Sequence, residues 1–91
     1  MTQLYQQNPA AETAPLAQGL MILEPQSRRF CALNATSSWI WNRLKEPTSP
    51  EQLARLLSDY CQGVTEQDAL KDILSAIEEM KAVGIVVEAV K

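Results

Sequence analysis

The sequence predicts an α+β domain: an N-terminal three-stranded antiparallel sheet followed by three helices. Three observations carry this. Between residues 13 and 34 the apolar positions fall in short runs and alternating pairs, the period of strands. From Asn34 onward they recur every three or four positions, the period of helices. The junctions are marked by turn and cap residues, among them Gly19, Pro25, Asn34, Pro47, Ser49, Thr65 and Gly84. With 91 residues, 46% of them hydrophobic and 21% charged, the chain can build one small core. A domain of this size buries only roughly 60% of its unfolded surface, so each apolar stripe must find a partner.

Residues 1–12 are rich in Gln, Asn and Ala, with Leu4 and Tyr5 as an apolar pair. They read as a flexible arm or a weak strand, leaving 13–91 as the folded domain. Leu20–Leu23 is a continuous apolar run bounded by Gln18-Gly19 and by Pro25-Gln26-Ser27. The next run, Arg28–Leu33, places Arg29, Cys31 and Leu33 on one face and Arg28, Phe30 and Ala32 on the other. Two such runs joined by three residues predict a hairpin, and residues around Ala14–Ala17 supply the third strand.

Asn34 is a good N-cap for a first helix whose stripe is Ser37, Ile40, Trp41 and Leu44, ended at Lys45-Glu46-Pro47. Ser49, Pro50 and Gln52 form the start signature of a second helix with the stripe Leu53, Leu56, Leu57 and Tyr60. Thr65 caps a third, with Glu66 and Asp68 at the positive end of its dipole and the stripe Leu70, Ile73, Leu74, Ile77 and Met80. Gly84 suits the left-handed residue that ends it. Ile85–Val90 then reads as a last strand, which either closes the fold or pairs across a dimer or domain swap.

The inventory excludes several functions. There is no histidine, so a Ser-His-Asp triad, a His general base and a His-ligated metal are impossible within this chain. Cys31 and Cys61 cannot complete a four-Cys zinc site and lack CxxC spacing; they read as two reduced, buried small hydrophobes, with one disulfide as the alternative. No apolar run reaches the roughly 20 residues of a membrane span. The opening MTQLYQQNPAAE lacks the basic and apolar regions of a signal peptide, so a soluble cytoplasmic protein is expected.

Among the carboxylates, Asp59, Asp68, Asp72, Glu78 and Glu79 are the helical candidates for acid chemistry, and Asp68 and Asp72 share a face. No phosphate loop, nucleophile elbow or metal cluster accompanies them, so they read as solvated surface. No catalytic residue and no cofactor is expected. Three helices with a flanking hairpin are the parts of a winged helix-turn-helix. A DNA-reading third helix needs outward Arg or Lys. Here Glu66, Asp68, Asp72, Glu78 and Glu79 outnumber Lys71 and Lys81, and the whole chain carries a net charge of −3. Nucleic acid is a poor fit.

Peptide binding fits better. A small sheet has edges with unpaired amides and carbonyls, which accept an extended peptide by strand addition. The Arg28–Leu33 strand either does this or carries its arginines to discourage aggregation. Ala69, Asp72, Ala76 and Glu79 flank the third helix's stripe and either leave room for a ligand or are ordinary helix surface. Trp39 lies off its helix's stripe, as an interface residue or as a lid on the core.

The segment CALNATSSWIWNRL resembles the Leu-Asn-x-Thr-Ala-x-x-Ile-Trp signature of PqqD-like proteins through Leu33, Asn34, Thr36, Ile40 and Trp41, with Ser37 where alanine is usual. SPEQLARLLSDYC is similar to that family's second helix. ALKDILSAIEEMKAVGIV is similar to its third, with Asp72, Ile73, Ile77, Met80 and Gly84 in register. The resemblance runs from about Gly19 to Val87. It implies a winged-helix-like, non-catalytic, stand-alone recognition element that binds the leader of a ribosomally synthesised precursor peptide. It implies that the leader adds as a strand to Arg28–Leu33 and lies in the cleft with the third helix. Carried onto this chain, the peptide-binding set is Arg28, Arg29, Phe30, Cys31, Ala32, Leu33, Ala69, Asp72, Ile73, Ala76 and Met80, with Phe30 and Ala32 bordering the cleft. The implied partners are the leader and a leader protease or other maturation enzyme, the lasso-peptide type being favoured, and the chain is a monomer or dimer with no nucleic-acid or membrane partner. The alternatives are a winged-helix regulator and a stabilising subunit of a larger enzyme.

Overall fold

The structure, a computed structural model, describes residues 3–89. The order is β1 (Leu4–Gln7), β2 (Glu12–Leu16), β3 (Gly19–Glu24), β4 (Arg29–Leu33), α1 (Ala35–Arg43), α2 (Pro50–Tyr60), α3 (Glu66–Val83) and β5 (Val86–Ala89). β2, β3 and β4 form an antiparallel meander in chain order, and β1 pairs antiparallel with β5 in a second, two-stranded sheet. Residues 4–7 are thus a strand. The last strand closes back onto the start of its own chain; Val90, expected at its end, lies outside the described residues.

The helix starts follow from side chains that satisfy amides with no partner in the first turn. Asn34 accepts from the Ser37 amide, and Thr65 accepts from the Asp68 amide. Ser49 and Gln52 form a reciprocal capping box behind Pro50. α3 ends at Gly84, whose φ of 97° is open to glycine at little cost.

Ile22, Leu33, Ile40, Trp41, Leu44, Leu53, Leu57, Ile73, Ile77, Met80, Ile85 and Val86 make the core. Two stripes are rotated from their expected positions. In α2, Leu56 and Tyr60 are exposed and Ala54 is buried instead; in α3, Leu74 is exposed and Ala69 is fully buried. α2 packs on α3, and the face each helix covers takes in Ala54 and Ala69, which leaves Leu56 and Leu74 on the exposed side.

Two turns shape the meander. Ala17-Gln18 joins β2 to β3, with Leu16 opposite Gly19. A Cβ on Gly19 would stand 1.8 Å from the Leu33 carbonyl oxygen, so only glycine fits there. The β3–β4 turn holds Arg28 at φ 59°, in the left-handed region. Arg28, expected in the strand, therefore belongs to the turn, and β4 begins at Arg29. The Glu24 carboxylate fixes this turn by accepting from both the Ser27 amide and the Ser27 hydroxyl. These bonds, the amide's foremost, hold the Glu24 carboxyl below the usual carboxylate range, although burial opposes them.

Candidate functional site: the open edge of β4

The meander has two edges. On β2 the edge includes Pro15, which has no amide hydrogen to donate and is tolerated only where no ladder bond is needed. On β4 every residue keeps its amide. β4 pairs with β3 on one side and has no strand partner on the other among the described residues. α3 packs alongside it. An edge with free donors and acceptors beside a helix is a template for one more strand, with a helix to meet half of its side chains.

Alternation along β4 decides what each residue can touch. Arg29, Cys31 and Leu33 face inward. The Arg29 guanidinium donates to the Ala82 carbonyl at 3.4 Å, tying the start of β4 to the end of α3. Cys31 is half-buried against the core and Leu33 is buried. Burial pushes the Cys31 thiol pKa upward, and the nearby Glu79 carboxylate pushes it further, both of which disfavour the thiolate. Cys31 and Cys61 are both free thiols.

Phe30 and Ala32 face the other way. Phe30 pairs with Leu23 and Ala32 with Met21, on the outer face of the sheet. There Phe30 is 67% exposed and shares a shallow, mostly apolar depression with Ala14, Met21 and Leu23. The expectation that Phe30 and Ala32 border the cleft with α3 therefore changes: the inward parity at the seam belongs to Cys31 and its neighbours.

The helical side of the seam also divides. Ala69 and Ile73 are fully buried and Met80 is 1% exposed, so these three lie in the core beneath the seam and offer it no surface in this conformation. Asp72 is exposed and Ala76 is half-buried at the core's margin. Positions 72, 76, 79 and 83 lie on one flank of α3, and Arg29 and Cys31 locate that flank beside β4. The opposite flank meets the second sheet, where Lys81 pairs with Glu88 at 2.8 Å. Glu79 was not among the residues carried over by resemblance; its signal in the sequence is its position two turns after Asp72.

Trp39 packs against the core from outside, stacked on Tyr60 with ring centroids 6.2 Å apart and with the Arg43 guanidinium 5.1 Å from its ring centre. It lies on the helical side of the molecule, as a lid that is partly covered by Tyr60. No helix among the described residues is long and apolar enough to cross a membrane.

Known proteins share this fold. The chain is similar to a solved structure described as lasso peptide synthetase B1 complexed with the leader peptide, with 26% identity and a TM-score of 0.77 over 91% of this chain and 96% of that one. It has the same fold as TbiB1 in complex with the TbiA(beta) leader peptide, with 17% identity and a TM-score of 0.80 over 94% of this chain and 99% of that one. No curated protein sequence matches it. The sequence profile described as coenzyme PQQ synthesis protein D matches residues 19–86, from the start of β3 to the start of β5 and so across β4 and α3, and on that match the chain belongs to the PqqD family.

Proposed function

We propose that this chain binds the leader segment of a ribosomally made precursor peptide as an added strand on β4, beside α3, and presents the precursor to a separate maturation enzyme in the cytoplasm. A lasso-type leader protease and cyclase fit best. The observation that supports the reading is the unpaired edge of β4 next to α3, in a chain whose solved neighbours are described as leader-peptide complexes. The backbone of β4 supplies hydrogen bonds that any sequence can satisfy, and side-chain pockets supply the selection. The chain would contribute proximity rather than chemistry. Holding a substrate on one module beside an enzyme gives effective concentrations on the order of millimolar.

The test is fluorescence anisotropy with the labelled leader of the precursor encoded beside this gene. A dissociation constant in the low-micromolar range, roughly −8 kcal/mol, is the expected result. Ala76→Arg, which fills the seam from the helical side while its charged end reaches water, should weaken binding by a factor of at least ~10, about 1.4 kcal/mol. The circular dichroism spectrum should not change. Saturable binding that is indifferent to Ala76→Arg would move the leader to another surface. No binding at about 100 μM protein, well above such a constant, would remove the reading for that precursor.

A further inference from the structure

The two faces of an added strand meet different chemistry here, and this says what kind of peptide belongs on β4. The β4-facing flank of α3 carries Asp72 and Glu79 with Ala76 between them, and Asp68 one turn before Asp72. All three carboxylates are exposed, and none takes part in an ion pair among the described residues. The helix's own lysines do not compensate. Lys81 is on the opposite flank, bonded to Glu88, and Lys71 is exposed, its helical position falling between the two flanks. The outer face of the sheet, by contrast, presents Phe30, Leu23, Met21 and Ala14 to solvent. An antiparallel sheet that faces water ordinarily alternates apolar inside with polar outside. β4 therefore has an acidic wall on one side of its edge and an apolar shelf on the other.

We infer that the peptide β4 accepts is read by parity: at least one Lys or Arg at the inward positions beside Asp72 and Glu79, and apolar residues at the outward positions beside Phe30. This rests on strand addition at β4 and names the substrate class for that site. Charge complementarity sets the inward preference, since a basic side chain there neutralises carboxylates that have no ion-pair partner among the described residues. Asp72 and Glu79 are seven residues apart, about 10 Å along the helix. Successive inward residues of a strand are about 7 Å apart, so one long basic side chain between them, or two on consecutive inward positions, can serve both. The cation belongs toward the Leu33 end. The other end is occupied by Arg29, bonded to the Ala82 carbonyl, and repels a second positive charge. On the outward side Phe30 supplies a cross-strand neighbour for a β-branched or aromatic residue.

An mRNA-displayed library of random twelve-residue peptides, selected on the immobilised full chain, tests this without knowledge of the natural leader. Enriched peptides should place Lys or Arg on one parity and Ile, Val, Leu or aromatic residues on the other. Labelled representatives should bind the double variant Asp72→Lys/Glu79→Lys about three- to tenfold more weakly, and selection on that variant should enrich acidic inward residues instead. Amide exchange on Arg29–Leu33, with and without peptide, separates the two levels. Peptides that protect these amides but show no charge preference, or one that the double variant leaves unchanged, would overturn the parity reading and leave strand addition standing. Peptides that bind without protecting these amides, or a failure to enrich any peptide, would overturn strand addition itself and the inference with it.

Discussion

The two small sheets of this domain treat their edges in opposite ways. β1 is bonded on both sides. It pairs with β5 along its length; on its other side Tyr5 and Thr48 exchange two backbone bonds of 2.9 Å, and the Gln7 amide donates to the Leu44 carbonyl at 2.8 Å. Side chains reinforce it, with the Gln7 amide group donating to the Trp41 carbonyl at 2.7 Å and that of Asn8 to the Gly84 carbonyl at 2.8 Å. β4 is bonded on one side, and its free side lies next to a helix with an exposed acidic flank. An unpaired edge is a liability in water, and this chain closes the one that holds its termini together. Of the meander's two edges, the one on which every residue keeps its amide, β4, is the one the proposed function uses.

The hardest way to break the comparison is through Gly19. Its absent Cβ lets β3 lie against the Leu33 carbonyl, so Gly19→Ala must push β4 away by more than an ångström or unfold the meander. A loss of about 3 kcal/mol or more is expected, at the upper end of overpacking penalties. Urea denaturation gives the number. If Gly19→Ala retained wild-type stability, β4 would not be held where its edge lies beside α3.

The closed sheet is tested by Asn8→Ala. The side chain donates to the Gly84 carbonyl and accepts from the Ala10 amide at 2.9 Å, so it joins the residue after β1 to the turn before β5. Removing both bonds should cost about 1–2 kcal/mol in denaturant. It should not change leader affinity, because β4 is in the other sheet. An effect on affinity as large as that of Ala76→Arg would mean that the two sheets are coupled rather than divided in role.

What could be read from the sequence divides along physical lines. The caps Asn34, Ser49, Thr65 and Gly84 were legible because each acts on amides or carbonyls within one turn of itself. The β1–β5 pairing was not, because it joins residues from opposite ends of the chain, and only the apolar character of Leu4 and Tyr5 hinted at a strand. Hydrophobicity could not choose between Leu56 and Ala54, or between Leu74 and Ala69, since each pair lies on opposite flanks of its helix's core stripe, about 200° and about 140° apart, and the neighbouring elements decide which flank is covered. The candidate site was legible as an edge and a helix. Strand alternation had already grouped Phe30 with Ala32 and Cys31 with Leu33, but nothing local told which of those faces meets α3.

Arg28 was the least legible residue, because the left-handed region is usually held by Gly, Asn or Asp. This makes a smaller and opposite prediction. Arg28→Gly relieves a conformation that costs an arginine roughly 1 kcal/mol, offset in part by the greater freedom of glycine in the unfolded chain. A gain of a few tenths to about 1 kcal/mol is expected in thermal or urea unfolding. A loss would show that the Arg28 side chain holds the turn by contacts that outweigh its backbone strain.

The last test uses the same turn to separate the sheets by pH. Glu24 accepts from Ser27 as a carboxylate, so its folded pKa lies below its unfolded value. The sign follows from that order. Its stabilising contribution is complete above the unfolded pKa and is lost as pH falls through the lowered folded one. Glu24→Gln keeps an acceptor for Ser27 but no longer titrates. The difference in stability between wild type and Glu24→Gln should therefore shrink as pH falls from 7 through the acid range, and the Ser27 amide should lose exchange protection in wild type over the same interval. The β1–β5 amides should not follow it, since the closed sheet does not depend on this carboxylate. If both sheets loosened together on acidification while global stability remained high, the β3–β4 turn would not be an independent determinant of where the open edge lies.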